Sequence, residues 1–360
     1  MPVQAAFYNP ELSYEENYRL GPPISKLNLT SPKRDTATNY KFLGFPVSLP
    51  FGIPPGPLLN SKYMEAAFAW GFDVSTYKTV RSGEFPCHPF PNVLPVKSTS
   101  KLNPAQTPRL TTEESFGDNP KTFNITNSFG VPSQRPEVWQ ADAKLALDYV
   151  AEGQLMILSF MGTVKPDQTQ KEFAEDFASA ARLAKETGVK VLEANLSCPN
   201  IGNEGLVCFN LDATEAVCKE IRTAIGDTPL ILKVGYYQNP EDLKRLTQIA
   251  AKYAHAIAEI NTLQVEVVDS EGKQALPGPN RLRSGICGAG IKWAGIEMVE
   301  KLNKLRTENK YNFEIVGIGG VMTPEDYLSY RERGADLVQS ATGAMWNPYL
   351  ANEISKLNNP

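Results

Sequence analysis

The feature that most narrows the fold is an alternation. Eight short runs are apolar along their whole length: SLPFGI (48–53), FDVSTYKTV (72–80), QLMILSF (154–160), VKVLEA (189–194), PLILKV (229–234), AIAEI (256–260), FEIVGI (313–318) and DLVQS (336–340). A strand that is apolar throughout, rather than at every second residue, is buried on both faces, as in a parallel sheet covered by helices. The stretches between the runs read as those helices. In EFAEDFASAARLAKETG (172–188), Phe173, Phe177, Ala180, Ala181 and Ala184 fall on one side of a 3.6-residue turn. Eight consecutive strand–helix units predict an α/β fold of the (β/α)8 TIM-barrel type. A doubly wound open sheet is the alternative. It usually has fewer units and often opens on a GxGxxG turn, which is absent after the first run here.

Two excursions interrupt the alternation, at 82–138 after the second strand and at 262–290 after the sixth, and residues 1–45 form a Pro-, Asn- and Tyr-rich N-terminal arm. The expected organisation is this arm followed by one barrel domain over 46–360. With 42% hydrophobic and 21% charged residues in 360, the chain can fill a full core. Its net charge of −4 gives no reason to expect nucleic acid or an anionic membrane as partner. No apolar run approaches the ~20 residues of a membrane span, and the first twenty residues lack the basic and apolar regions of a signal peptide. Cys87, Cys198, Cys208, Cys218 and Cys287 are odd in number and scattered, with no CxxC pair, so neither a disulfide framework nor a metal site is expected. The expectation is a reduced, cytoplasmic protein.

In such barrels chemistry gathers at the C-terminal ends of the strands. In chain order those ends carry Pro54-Pro55-Gly56, Lys78-Thr79, Met161-Gly162, Asn195 leading to Cys198, Lys233, Asn261-Thr262, Gly317-Ile318-Gly319-Gly320 and Ser340-Ala341-Thr342. Lysines and asparagines at the tips of apolar strands need partners, because burying them alone is costly. The GIGG and SAT ends occupy the place where barrels hold phosphate, since glycine lets backbone N–H groups approach an anion. A phosphate site with two lysines suits a phosphorylated cofactor such as FMN, with one lysine near the ring edge that becomes electron-rich on reduction.

Several stretches together resemble the dihydroorotate dehydrogenase family, most closely its soluble members with a cysteine base. They are NLSCPN (195–200), TNSFGVP (126–132), the lysines of TYKTV and ILKVG, the INT after strand six, SGICGAGIK (284–292), GIGGV and VQSATGA. The resemblance implies a barrel with noncovalent FMN that oxidises dihydroorotate to orotate in pyrimidine biosynthesis. It makes Cys198 the base that removes the C5 proton while the C6 hydride passes to FMN N5. It gives Asn127, Asn195, Asn200, Asn261 and Thr262 the pyrimidine ring and carboxylate, and it sets Lys78 between flavin and substrate. It places Lys233 at the flavin N1/O2 edge, and Gly288, Gly319, Gly320, Ala341 and Thr342 on the FMN phosphate and ribityl chain. It further implies a homodimer.

A free thiol with pKa ~8.5 already suits a base working near pH 8. Cys87, Cys208, Cys218 and Cys287 read as inert thiols, and neither His88 nor His255 falls on a matched position. The chain departs from the family pattern at Pro54-Pro55-Gly56, where many members read AAG, and at Ser133, where many have Asn. Three other readings remain open: a dihydrouracil or dihydrothymine dehydrogenase, faintly favoured by GLVCFNLD; an FMN-binding barrel without catalysis; and a phosphate-binding isomerase barrel without flavin. The second Asn of NLSCPN, Asn200, suits a carboxylate-bearing substrate and favours dihydroorotate.

Overall fold

The computed structural model describes residues 5–27, 29–33, 36–97, 100–165, 167–197 and 207–358. Eight parallel strands form the central sheet: β1 (Phe51–Gly52), β2 (Val74–Val80), β3 (Leu155–Phe160), β4 (Val191–Asn195), β5 (Leu230–Lys233), β6 (Ala256–Glu259), β7 (Glu314–Ile318) and β8 (Leu337–Gln339). From β2 to β8 each pairs with the next in chain order, and β8 returns to β1. The seam between β1 and β2 is narrow. Thr76 donates its N–H to Ile53 O at 2.9 Å, and a Cβ on Gly52 would lie 1.8 Å from Val74 O. Only glycine admits that approach. The sheet is thus a (β/α)8 TIM barrel, as the eight-fold alternation predicts.

Inward residues of the strands, among them Val74, Leu155, Ile157, Val191, Ile231, Ala258, Val316 and Leu337, form one buried cluster. A hairpin of Tyr40–Phe42 and Phe45–Val47 inserts Phe42 and Val47 into it. Leu43 N–H donates to Glu314, the first residue of β7, which puts the hairpin at the N-terminal, lower end of the barrel. Helices pack outside. Gln170–Lys185 opens with a reciprocal cap between Thr169 and Glu172 and buries Phe177, Ala180, Ala181 and Ala184, while Phe173 stacks edge-on against Phe177. The first excursion ends earlier than its proline content implies, because Pro136 stands in the first turn of helix Pro136–Leu147. A proline fits there, where its missing N–H has no helical acceptor. No helix of the described residues is long and apolar enough to cross a membrane.

The two excursions are not loops lying apart. Together they build a five-stranded sheet in the order Val93–Pro95, Asn124–Asn127, Arg283–Gly288, Leu263–Val268, Arg109–Thr111. The first excursion supplies three strands and the second supplies two, and the sheet caps the upper end of the barrel. Arg281, 2% exposed, staples it: its guanidinium donates to Ser128 O and Oγ and to the carbonyls of Pro89 and Pro91. The N-terminal arm is bound as well. Ala6 N–H donates to Met345 O at 2.6 Å, and helix Tyr14–Leu20 is held through Tyr63 Oη, which donates to Asn17 O at 2.9 Å.

Candidate functional site at the barrel mouth

Between the strand ends and the capping sheet lies a cavity of about 970 Å³, counting its open mouth. The barrel contributes Lys78 and Thr79 from β2, Asn195 from β4, Lys233 from β5, Asn261 and Thr262 after β6, and Ala341 and Thr342 after β8. A register shift between Tyr77 and Val80 explains how the consecutive Lys78 and Thr79 both reach the wall, since an irregularity in a strand re-aims its side chains. Pro54, Pro55 and Gly56 line the β1 side, so that stretch of wall lacks two backbone donors.

Asn127 comes from the capping sheet. Its Nδ2 donates to Cys287 Sγ at 2.9 Å across the Asn124–Asn127 and Arg283–Gly288 pairing. Asn261 Nδ2 donates to Ser197 O at 2.6 Å, and Ser197 N–H returns to Asn195 Oδ1 at 3.2 Å. Those two asparagines fix the backbone up to the residue before Cys198. The far root of the same segment is tied by Cys208 N–H to Leu196 O at 3.0 Å. Cys198 and Asn200 themselves lie outside the described residues.

The phosphate-binding residues expected from the resemblance fall in two groups. Ala341 and Thr342 line the cavity. Gly288, Gly319 and Gly320 are not among its walls but pack together beside it. Gly319 and Gly320 have φ of +126° and +63°, and a Cβ on Gly320 would lie 2.7 Å from Lys292 N and 2.8 Å from Gly288 O. Side chains are excluded there, and backbone is left facing backbone.

The donor set fits a flavin mononucleotide. Thr262 Oγ1 and Thr342 Oγ1 are buried without a partner, both on the cavity wall, where bare hydroxyls are costly unless a ligand takes them. Lys233 is 4% exposed at the end of its strand. Burial pushes its ammonium below the ordinary lysine range, opposed by the charge of Glu193 and by Cys287. Burial also pushes the Cys287 thiol up to about 12, against the pull of Lys233 and Asn127.

Sequence reasoning missed several cavity residues outside the strand ends, among them Tyr8 from the arm, Phe129, Val131, Met345 and Cys287. Tyr8 and Phe129 meet edge to face at 5.4 Å. Cys287, read as an inert thiol, stands in the wall beside Lys233 and Asn127. Its place inside SGICGAGIK, one residue before Gly288, was the available signal. Cys208 and Cys218 are fully buried. His88 is structural, packed under Gly130 with Nδ1 3.2 Å from Ser128 Oγ, and His255 Nδ1 accepts from Leu230 N–H at the lower end. No group of His, Cys, Asp and Glu among the described residues could hold a metal ion.

Comparison with known proteins gives a consistent result. Residues 93–357 match the family described as dihydroorotate dehydrogenase. A dihydroorotate dehydrogenase of Dictyostelium discoideum is 35% identical over 97% of this chain and 96% of its own length. The catalytic subunit of dihydroorotate dehydrogenase B (NAD(+)) from Staphylococcus carnosus is 30% identical over 50% of this chain and 56% of that protein. Among solved structures, ligand-free DHODH from Eimeria tenella superposes with a TM-score of 0.69 over 93% of this chain and 90% of that one. At 15% identity that likeness speaks to the fold alone.

Proposed function

The chain belongs to the dihydroorotate dehydrogenase family, and on that premise we propose that it oxidises dihydroorotate to orotate with FMN held at the barrel mouth. The observation that carries this reading is the convergence of Lys78, Asn127, Asn195, Lys233, Asn261 and Thr262 on one cavity with two unpartnered threonine hydroxyls. Bound FMN supplies a two-electron acceptor for the hydride leaving C6 of the substrate.

The chain's own residues do the rest. Lys233 offers a donor to the flavin ring edge, Thr262 offers one to the pyrimidine, and Thr342, with the cradle of Gly288, Gly319 and Gly320, offers the phosphate end a polar, side-chain-free seat. Asn127, Asn195, Asn200 and Asn261 hold the planar pyrimidine and its carboxylate. Asn195 and Asn261 have a second duty, anchoring the backbone that leads to Cys198. Cys198 accepts the C5 proton, and the capping sheet excludes water from the reacting face. The same reading takes residues 46–360 as one FMN-binding domain behind its arm. It also takes the cytoplasmic homodimer that the resemblance implies.

The test is anaerobic mixing of the purified yellow protein with dihydroorotate or dihydrouracil while flavin absorbance is followed. Dihydroorotate is expected to bleach it quickly and dihydrouracil is not. Bleaching by dihydrouracil alone would move the protein to the dihydropyrimidine dehydrogenases. A colourless protein that takes up no flavin would end the reading.

A further inference from the structure

One carboxyl group lies inside the barrel directly under this cavity. Glu193 sits on β4 two residues before Asn195 and two after Val191, so all three share the inward face of the strand. It is 1% exposed. The register of β4 with β5 sets Asn195 beside Lys233 and Glu193 beside Ile231. Glu193 is therefore the diagonal neighbour of Lys233, one step lower, a separation that long side chains span.

On its other side β3 sets Ser159 next to it, and the Ser159 hydroxyl hydrogen-bonds the carboxyl. Thr79 Oγ1 donates to Ser159 Oγ at 3.0 Å, and Asn195 Nδ2 reaches Thr79 Oγ1 at 3.5 Å. A hydrogen-bonded chain thus runs from Glu193 up to the cavity floor. Its other carboxyl oxygen, Oε1, is buried with no partner. A carboxyl so enclosed needs a counter-charge, and Lys233 is the charge that acts on it. The titratable groups gathered here are Glu193 from β4, Lys233 from β5 and Cys287 from the capping sheet. Burial pushes the acid up and the lysine down, and the charge of each opposes that shift in the other.

We propose that Glu193 is a positioning residue acting through Lys233: its carboxylate holds the ammonium at the cavity floor, offsets part of the positive field there, and thereby sets the reduction potential of bound FMN. The proposal rests on the flavin reading above. A negative charge fixed under the cavity floor would disfavour the arrival of electrons on a flavin held there, whereas an unshared ammonium would favour it. Glutamine in place of Glu193 keeps the shape and the contact to Ser159 but removes the charge.

The experiment compares wild type, Glu193→Gln and Glu193→Asp, each loaded with FMN and checked for one flavin per chain by absorbance. Midpoint potentials are read by anaerobic equilibration with redox dyes. Glu193→Gln is expected to shift the potential positive, and Glu193→Asp, which keeps the charge, to stay near wild type. A fully loaded Glu193→Gln protein with an unchanged potential overturns the proposal. Should that variant fail to fold, Ser159→Ala takes its place. Losing the donor to the carboxylate favours its neutral form, so a smaller positive shift is expected, and no shift overturns the proposal equally. Wild-type protein that binds no FMN sinks the parent reading instead, so the two failures are distinguishable.

Discussion

At its lower end the barrel is filled by Phe42 and Val47 of the hairpin against Val74, Val191 and Ile231, whereas at the upper end the same strands present Lys78, Asn195 and Lys233. Two or four residues along one inward face separate the two chemistries. Ile231 and Lys233 are adjacent inward positions of β5, and on β4 the series runs Val191, Glu193, Asn195. Below, the inward residues are apolar and sealed. Above, hydroxyls of Thr262 and Thr342 stand buried and bare. The division is between stability and function, drawn across single strands rather than between domains. It shows why a residue's height on a barrel strand says more about its job than its residue type does.

The largest break in that comparison is expected from Cys198→Ala at the upper end. It should retain FMN and lose about 10²–10⁴-fold in the rate of flavin reduction by dihydroorotate, the usual contribution of a positioned base. Stopped-flow absorbance measures it, and a near-wild-type rate removes Cys198 from that role. Phe42→Ala is the mirror test at the lower end. Emptying a fully buried phenylalanine site should lower unfolding stability by about 3–5 kcal/mol in urea titrations, while the reduction rate per bound flavin stays unchanged. A rate that falls along with stability would mean the two ends are coupled, and the division would be wrong.

The smallest effect is expected at Cys287. Cys287→Ala removes the acceptor for Asn127 Nδ2, a loss of roughly one hydrogen bond. KM for dihydroorotate should rise about 2- to 10-fold with kcat little altered, and Cys287→Ser, which restores an acceptor, should recover most of it. If KM is unmoved, the contact between Asn127 and the thiol is incidental.

The floor of the site was legible in the sequence and its roof was not. Lys78, Asn195, Lys233, Asn261 and Thr262 stand at the ends of apolar runs, and once the runs are counted as eight barrel strands those ends must converge. Nothing local announces the capping sheet. Its strands are three to six residues long, several sit among prolines, and two of its four pairings join one excursion to the other. Only Leu263–Val268, with its partial alternation of buried and half-buried residues, carried a strand signal. Asn127 was found through the resemblance, not from periodicity. Cys287 was passed over because a lone thiol among glycines looks like any buried cysteine. Tyr8 could not be placed because an arm's docking point depends on the surface it meets, here Phe129 and Met345.

The capping sheet also bears on how the chain matures. Thr126 and Ser284 share a hydrogen bond across 158 residues, and Gly285 pairs with Asn127 beside it. Contacts that distant form late. A nascent polypeptide emerging from the ribosome therefore carries Asn127 long before its partner strand exists. The cavity gains its full roof only when synthesis has passed Gly288, and its last wall residues, Ala341, Thr342 and Met345, arrive later still, so an N-terminal piece cut before Gly288 would lack both.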